Sequence, residues 1–359
     1  MVTISVENVS KKYGDIIAVD DITLEFRDGE YTCIIGPSGS GKSTLLKIIA
    51  GIVKPDRGRV YFDGEDVTDL PVDLRCIGMI SQDILLFPHI TVWDNIIYGP
   101  TAKGYDTDII VRAGREIIGL LGLKYNFRSY PDSLSRGSQQ KVAIARALAT
   151  HPKALLLDEP LGGLDVRAAL DLKFEIKRLA KDLKLTTIHI THNQEEALSI
   201  ADKIVIMRRG RIEQVGKPEE VYDIPSTPFV ARFVGGESNF FEGVIIDESS
   251  GKLIISVKDL DLRIETPSIK GLSVNDEVLV SIKPEHIMLT KDEGVKGTVV
   301  EKDFLGAYTR LIININGKDV IVRVKKTSLN VGDTVRVLLL KAHIFPYPKE
   351  GLERAIAYE

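Results

Sequence analysis

The sequence predicts an α/β domain wound around a mostly parallel sheet and followed by an all-β domain. Three observations predict it. Up to about residue 235, short apolar strands alternate with longer stretches of helical spacing, the pattern of strands joined by crossover helices. One of those strands runs directly into GPSGSGKST, Gly36 to Thr44, which opens a helical stretch. After GKPEEVYDIPSTPFVARFVGG, Gly216 to Gly236, whose three prolines and three glycines break the pattern, the chain turns to short β-rich runs separated by Gly, Asn and Asp. A length of 359 residues suits two domains of about 100 to 200 residues each. The expected boundaries are 1–235 and 236–359.

The elements follow in order. MVTISVENVSKKYG alternates like a strand, and it has neither a basic leader nor an apolar core of a signal peptide. Tyr31 to Ile35, Ala154 to Leu157 and Thr187 to Ile190 are short and mostly apolar, as strands covered on both faces must be. KSTLLKIIAG predicts a helix stopped by Gly51. Gly58 to Gly64 reads as a strand ending in an Asp-Gly turn, and helical spacing covers Asp106 to Leu123 and Ser138 to Thr150. In the second domain GVIID, KLIISV, EVLVSIK, GTVVEK, TRLIINI, DVIVRV and TVRVLLL read as strands, in two clusters similar enough to raise an internal repeat.

Composition narrows the function classes. With 44% hydrophobic and 27% charged residues the chain can bury a core without disulfides or metals. A net charge of -4 and the absence of a Lys/Arg block argue against a nucleic-acid partner. Cys33 and Cys76, in apolar surroundings, are too few for a disulfide framework, which points to a reducing compartment, the cytoplasm. No stretch approaches the roughly 18 uncharged apolar residues of a spanning helix, so any work at a membrane needs another chain to cross it.

GPSGSGKST matches GxxxxGK[ST] between a strand and a helix. Gly36, Ser38, Gly39, Ser40, Gly41 and Thr44 belong to a loop whose backbone N–H groups curl round phosphate oxygens. In such a loop Lys42 reaches the β and γ phosphates and Ser43 offers its hydroxyl to Mg2+. ALLLDEP, Ala154 to Pro160, then delivers Asp158 to the end of a buried strand as a magnesium-shell carboxylate, and Glu159 as general base for a water attacking the γ-phosphate. Without the loop, two carboxylates ending a strand would mean little. With it, a P-loop NTPase binding ATP and Mg2+ is expected.

The same chain carries LSRGSQQKVAIARAL, Leu134 to Leu148, which resembles the signature motif of ABC ATPases. The resemblance extends to Tyr13 in KKYG as the adenine-stacking aromatic, Gln82 in SQDILLFPH as the Q-loop glutamine, Leu164 and Asp165 in GGLD as the D-loop, and His192 in ITHNQEEA as the switch histidine. All occur in the family's order over about the first 235 residues. It implies an α/β P-loop NTPase (ABC ATPase) domain with a helical subdomain. Tyr13 would stack on the base, Gln82 would touch Mg2+ or the attacking water, and His192 would bond the γ-phosphate and orient water. His189, inside its strand, is expected to be structural, a His189/His192 metal site is rejected, and His89 reads as a solvated loop residue. The family also implies that Ser135, Arg136, Gly137 and Ser138 face the nucleotide held by a second copy, making the working unit a homodimer. Arg136 and Ser138 replace the usual glycine and glutamine, and Gly162 and Gly163 replace the commoner small polar residues or alanine before Asp165.

SIKPEHIML, Ser281 to Leu289, and ARFVGGESNFFEG, Ala231 to Gly243, are similar to the OB/TOBE-like regulatory domain of importer ATPases for sugars, polyamines, iron and molybdate, nearest the polyamine and iron branch. An exporter ATPase with a C-terminal β domain is the competing class, and it would lack the SIKPEH-like feature. A soluble ABC protein acting on nucleic acid or ribosomes would carry two ATPase halves or a long coiled coil. The importer reading implies membrane permease subunits, which would dock at LFPHITVWDNIIYG, an extracytoplasmic solute-binding protein acting indirectly, and a place at the cytoplasmic face of the membrane.

Overall fold

The computed structural model describes residues 2–124, 127–258, 260 and 262–358. They form two compact units, the described residues within 2–220 and those within 221–358.

The first unit opens with β1 (Ile4–Tyr13) and β2 (Ile16–Phe26), which pair antiparallel. Then comes β3 (Tyr31–Ile35), buried at every position, followed by α1 (Lys42–Ala50). Gly51 closes α1 in the left-handed conformation, and buried Arg75 donates to the carbonyls of Ile48 and Ile49, bringing a cation to the negative end of the helix dipole. β4 (Arg57–Phe62) turns at Asp63 and Gly64, both with positive φ, into β5 (Glu65–Asp66). After β6 (Ile77–Ile80), the helices α2 (Val92–Ala102), α3 (Thr107–Leu120) and α4 (Arg136–Leu148) pack on one another as a helical subdomain. The unit continues with β7 (Ala154–Asp158), α5 (Val166–Asp182), β8 (Thr186–Ile190), α6 (Gln194–Ile200), β9 (Lys203–Arg208) and β10 (Arg211–Gly216).

Two sheets result. β1, β2, β4 and β5 make an antiparallel sheet in the order β2-β1-β4-β5, with apolar residues such as Ile4, Val6 and Val60 turned into the core. The larger sheet runs β10-β9-β3-β8-β7-β6, parallel except for β10. Its β3, β7 and β8 show no alternation because both faces are covered. Adjacency of β3, β8 and β7, all parallel, sets their C-terminal ends side by side. Ile34 and Asp158 both register against Ile190.

Of the three prolines of the connecting stretch, Pro225 lies between two helices and the other two begin them. Pro218 begins α7 (Pro218–Asp223), within which the two units divide, and Pro228 begins α8 (Pro228–Phe233), capped by the Thr227 hydroxyl. At the first helical position proline lacks only an N–H that has no partner there, and its φ already suits the helix.

The second unit holds β11 (Asn239–Ser249), β12 (Lys252–Val257), β13 (Leu262–Pro267), β14 (Glu277–Ile282), β15 (Ile287–Thr290), β16 (Val295–Phe304), β17 (Thr309–Ile315), β18 (Lys318–Val324), β19 (Thr334–Leu339), β20 (His343–Pro346) and α9 (Leu352–Ile356). One sheet is β13-β12-β11-β14-β20 and the other β15-β19-β16-β17-β18. They share one core, in which Ile255, Val280, Leu311 and Val322 are fully buried. Because β20 returns to the first sheet, the two sheets are not successive halves of the chain. Lys283, 4% exposed, donates to the Val234 carbonyl and lies 4.2 Å from the Tyr222 ring centroid, while Tyr222 donates to Glu285. Burial lowers the Lys283 pKa to about 8.

Candidate functional site

The phosphate loop sits between β3 and α1, and its shape depends on missing side chains. A Cβ on Gly41, whose φ is 97°, would lie 2.0 Å from the Ala18 carbonyl oxygen, and one on Gly36 would lie 2.1 Å from that of Met207. The loop passes so close to its neighbours that only glycine fits. Gly41→Ala is therefore expected to lower stability by at least about 2 kcal/mol and to abolish nucleotide binding, read by thermal melting and nucleotide titration. Lys42 curls back over the loop and donates to the carbonyls of Gly36 (2.9 Å) and Pro37 (2.7 Å) and to Ser40 Oγ (3.3 Å). Burial lowers its pKa, opposed by the charges of Glu159 and Asp158.

The end of β7 brings the acidic pair to this loop. Ser43 Oγ donates to Asp158 Oδ1 at 2.9 Å, across 115 positions of sequence. Asp158 is 7% exposed, and burial raises its pKa against the Ser43 hydrogen bond, with Glu159 adding to the rise. Glu159 adopts a left-handed backbone at φ 48°. It marks the exit of the strand, where its N–H donates to the Ile190 carbonyl (3.0 Å) and its carbonyl accepts from the Gly162 N–H (3.0 Å). His192, just past β8, sets Nδ1 3.1 Å from Glu159 Oε2. A cavity of about 410 Å³ opens beside them, walled by Glu159, Gly163, Val166, Leu170, His192 and Asn193. Lys42, Ser43, Asp158, Glu159 and His192 thus converge at the C-terminal edge of three neighbouring strands, where open α/β sheets place ligands.

The other sequence-selected residues lie outside that cluster of contacts. Tyr13, at the end of β1, is 48% exposed with Lys11 Nζ 5.8 Å from its ring centroid. Gln82 and His89 are exposed beyond β6. Ser135 caps α4, accepting from the Ser138 N–H (3.3 Å) and donating to Ser138 Oγ (3.0 Å). Asp165 caps α5 by accepting from the Ala168 N–H at 2.9 Å. Of the two cysteines, Cys33 is buried and Cys76 is exposed, and both are free.

His189 is structural in position: it is 1% exposed, its Nδ1 is 2.8 Å from the Tyr31 hydroxyl, and its Nε2 is 3.1 Å from Glu196 Oε1. Glu196 also accepts from the Thr191 hydroxyl (2.7 Å), immediately before His192. Burial opposes ionisation of Glu196, but His189 and Thr191 hold its carboxyl below the usual range. Among the described residues no group of three or more His, Cys, Asp or Glu could hold a metal ion. Sequence reasoning missed this network, as it missed buried Gln140, whose Nε2 donates to the Pro160 carbonyl at 2.7 Å. Tyr31 and His189 are 158 residues apart and Gln140 and Pro160 are 20 apart, and only the fold joins them.

Comparison with known proteins fits this geometry. A family model described as ABC transporter matches residues 19–162 and one described as TOBE domain matches residues 280–345. The spermidine/putrescine import ATP-binding protein of Clostridioides difficile is 39% identical over 88% of this chain and 89% of its own length. The molybdate/tungstate import ATP-binding protein of Pyrococcus horikoshii is 42% identical over 88% and 89%. For the sulfate/thiosulfate import ATP-binding protein of Ralstonia nicotianae the figures are 36%, 99% and 98%. The solved dimer of MJ0796, a bacterial ABC transporter cassette, superposes with a TM-score of 0.54 and 33% identity over 60% of this chain and 98% of that one. A dimeric post-hydrolysis state of the same cassette, bound to ADP and Pi, gives 0.54 and 32%.

Proposed function

Since the chain belongs to the ABC transporter ATP-binding proteins that end in a TOBE domain, we propose that it powers an importer, two copies closing on ATP and driving solute uptake through separate membrane subunits. The observation that carries the import direction is similarity over nearly the whole chain to import ATP-binding proteins, joined to a phosphate loop and acidic pair in contact. Relatives at 36 to 42% identity import a polyamine, sulfate or thiosulfate, and molybdate or tungstate, so solute choice is assigned to the partner subunits. Among the described residues no helix is long and apolar enough to cross a membrane. The chain would work at the cytoplasmic face, carried by the permease. Residues 1–235 would form the ATPase domain and 236–359 the regulatory one.

The residues fit Mg2+. Ser43 Oγ and Asp158 Oδ1, 2.9 Å apart, are hard oxygen donors beside a phosphate loop. With Gln82 they would hold the ion, which when bound would draw charge from the β and γ phosphates. Lys42 and the loop N–H groups bind those phosphates, Tyr13 stacks on the base, Glu159 accepts the proton of the attacking water, and His192 holds Glu159 and the γ-phosphate in line. Ser135 and Gly137 of a second copy would complete each site across the dimer.

Reconstitution in vesicles with the membrane subunits tests the reading. Solute-loaded binding protein added on the face away from the ATPase is expected to stimulate hydrolysis and to deliver solute to the ATPase side. Transport in the opposite direction would make the chain an exporter subunit. Ser138→Gln frees the Ser135 hydroxyl from the bond it now makes to Ser138, worth about 1 kcal/mol, so turnover of the dimer is expected to rise by about two- to ten-fold. Unchanged turnover would make the serine neutral.

A further inference from the structure

Glu159 holds a backbone conformation that non-glycine residues adopt only when their surroundings impose it. Two of the restraints come from its own neighbours, the Ile190 carbonyl and the Gly162 N–H. The next residue, Pro160, is buried and has no N–H to tie down, so its carbonyl is the remaining backbone handle. That carbonyl is taken by Gln140 Nε2 at 2.7 Å. Gln140 is 2% exposed, and its Oε1 is buried with no hydrogen-bond partner. Leaving an amide oxygen unsatisfied costs about 1–3 kcal/mol, so an apolar residue would serve packing better, and the bond to Pro160 is what the glutamine adds.

Arg136 lies four residues earlier and so shares this face of α4. It touches the same loop. A Cβ built on Gly163, φ 71°, would come within 2.9 Å of Arg136 Nη2 and 3.0 Å of its Cζ, so the guanidinium occupies the place a side chain at 163 would take. Lys141 pairs with Glu175 of α5 at 2.5 Å, and a Cβ on Gly137 would meet Ala168 at 3.4 Å, which registers α4 against the helix that Asp165 begins. The loop from Glu159 to Asp165 is therefore gripped by one face of α4, the helix whose first turn carries the signature residues. Two of the four departures from the family pattern, Arg136 and Gly163, meet each other there.

We propose that Gln140, supported by Arg136, is a positioning residue for hydrolysis. It fixes the Glu159 backbone through Pro160 and ties the signature end of α4 to the same protomer's catalytic loop. This rests on Glu159 being the group that takes the proton from water. A shift of α4 on meeting the second copy's nucleotide would then reach the first copy's Glu159, coupling the two sites.

The test is Gln140→Met, which keeps length and burial and removes the donor, measured beside Glu159→Gln in the full-length chain. The expected result is a fall in kcat of about ten-fold or more, with KM for ATP within about two-fold and no loss of melting temperature, because a misplaced reacting group costs rate rather than binding. Arg136→Ala, which removes the guanidinium packed against Gly163, is expected to lower kcat in the same direction and by less. If Glu159→Gln is inactive while Gln140→Met keeps kcat within about two-fold, positioning by Gln140 is wrong. If Gln140→Met loses melting temperature, kcat and KM together, the residue is only structural. Full turnover in Glu159→Gln would remove the premise and the proposal with it.

Discussion

Glu159→Gln is expected to bind ATP with unchanged affinity and to hydrolyse it at least about a hundred-fold more slowly, the usual loss on removing a general base. The neighbouring carboxylate cannot take over. Asp158 is buried and already accepts a hydrogen bond from Ser43, which leaves it little surface on which to meet water. Glu159 is more open: its side chain is 23% exposed and borders the cavity of about 410 Å³. Glutamine preserves the shape and can still face His192 Nδ1, but it has no charge with which to take a proton. Closed, ATP-loaded dimers are then expected to accumulate, seen by light scattering as a doubling of mass on adding ATP. Turnover above about a tenth of the natural rate would contradict the assignment.

The phosphate loop was legible because its contacts are local. Lys42 reaches back only six residues to Gly36, and glycine spacing with a lysine already states the shape. The strands β3, β7 and β8 were legible for a different reason, since a run buried on both faces must be apolar throughout. What the sequence left unread is non-local. Tyr31 and His189 are 158 residues apart and meet only because β3 and β8 are neighbours. Gln140 and Pro160 are 20 apart with α4's end and β7 between them. Their residue types carry no signal, because a glutamine in a helix is ordinarily a solvated side chain. Prolines 218 and 228 read as breaks since proline alone does not say whether it ends one element or starts the next. Cys76 sits among apolar neighbours in sequence yet is exposed, at a left-handed φ of 51° just before β6.

Lys42→Ala is expected to weaken ATP binding by on the order of a hundred-fold, through two effects that add. The ammonium is the one cation hydrogen-bonded within the loop, and losing a charged hydrogen bond to phosphate costs about 1.5–3 kcal/mol. It is also the loop's own fastening, joining the Gly36 and Pro37 carbonyls and Ser40 Oγ. Removing it leaves those acceptors without their donor and leaves the charges of Asp158 and Glu159, which lie close enough to act on the lysine, to repel the incoming phosphates. Lys42→Arg separates the two contributions. The charge remains, but a planar guanidinium cannot occupy a buried position shaped for a compact ammonium, so affinity is expected to recover little. Titration calorimetry with ATP and Mg2+ reads both. If Lys42→Arg binds like the natural chain, charge alone accounts for the effect, and the three bonds of the ammonium to the loop contribute nothing to its shape.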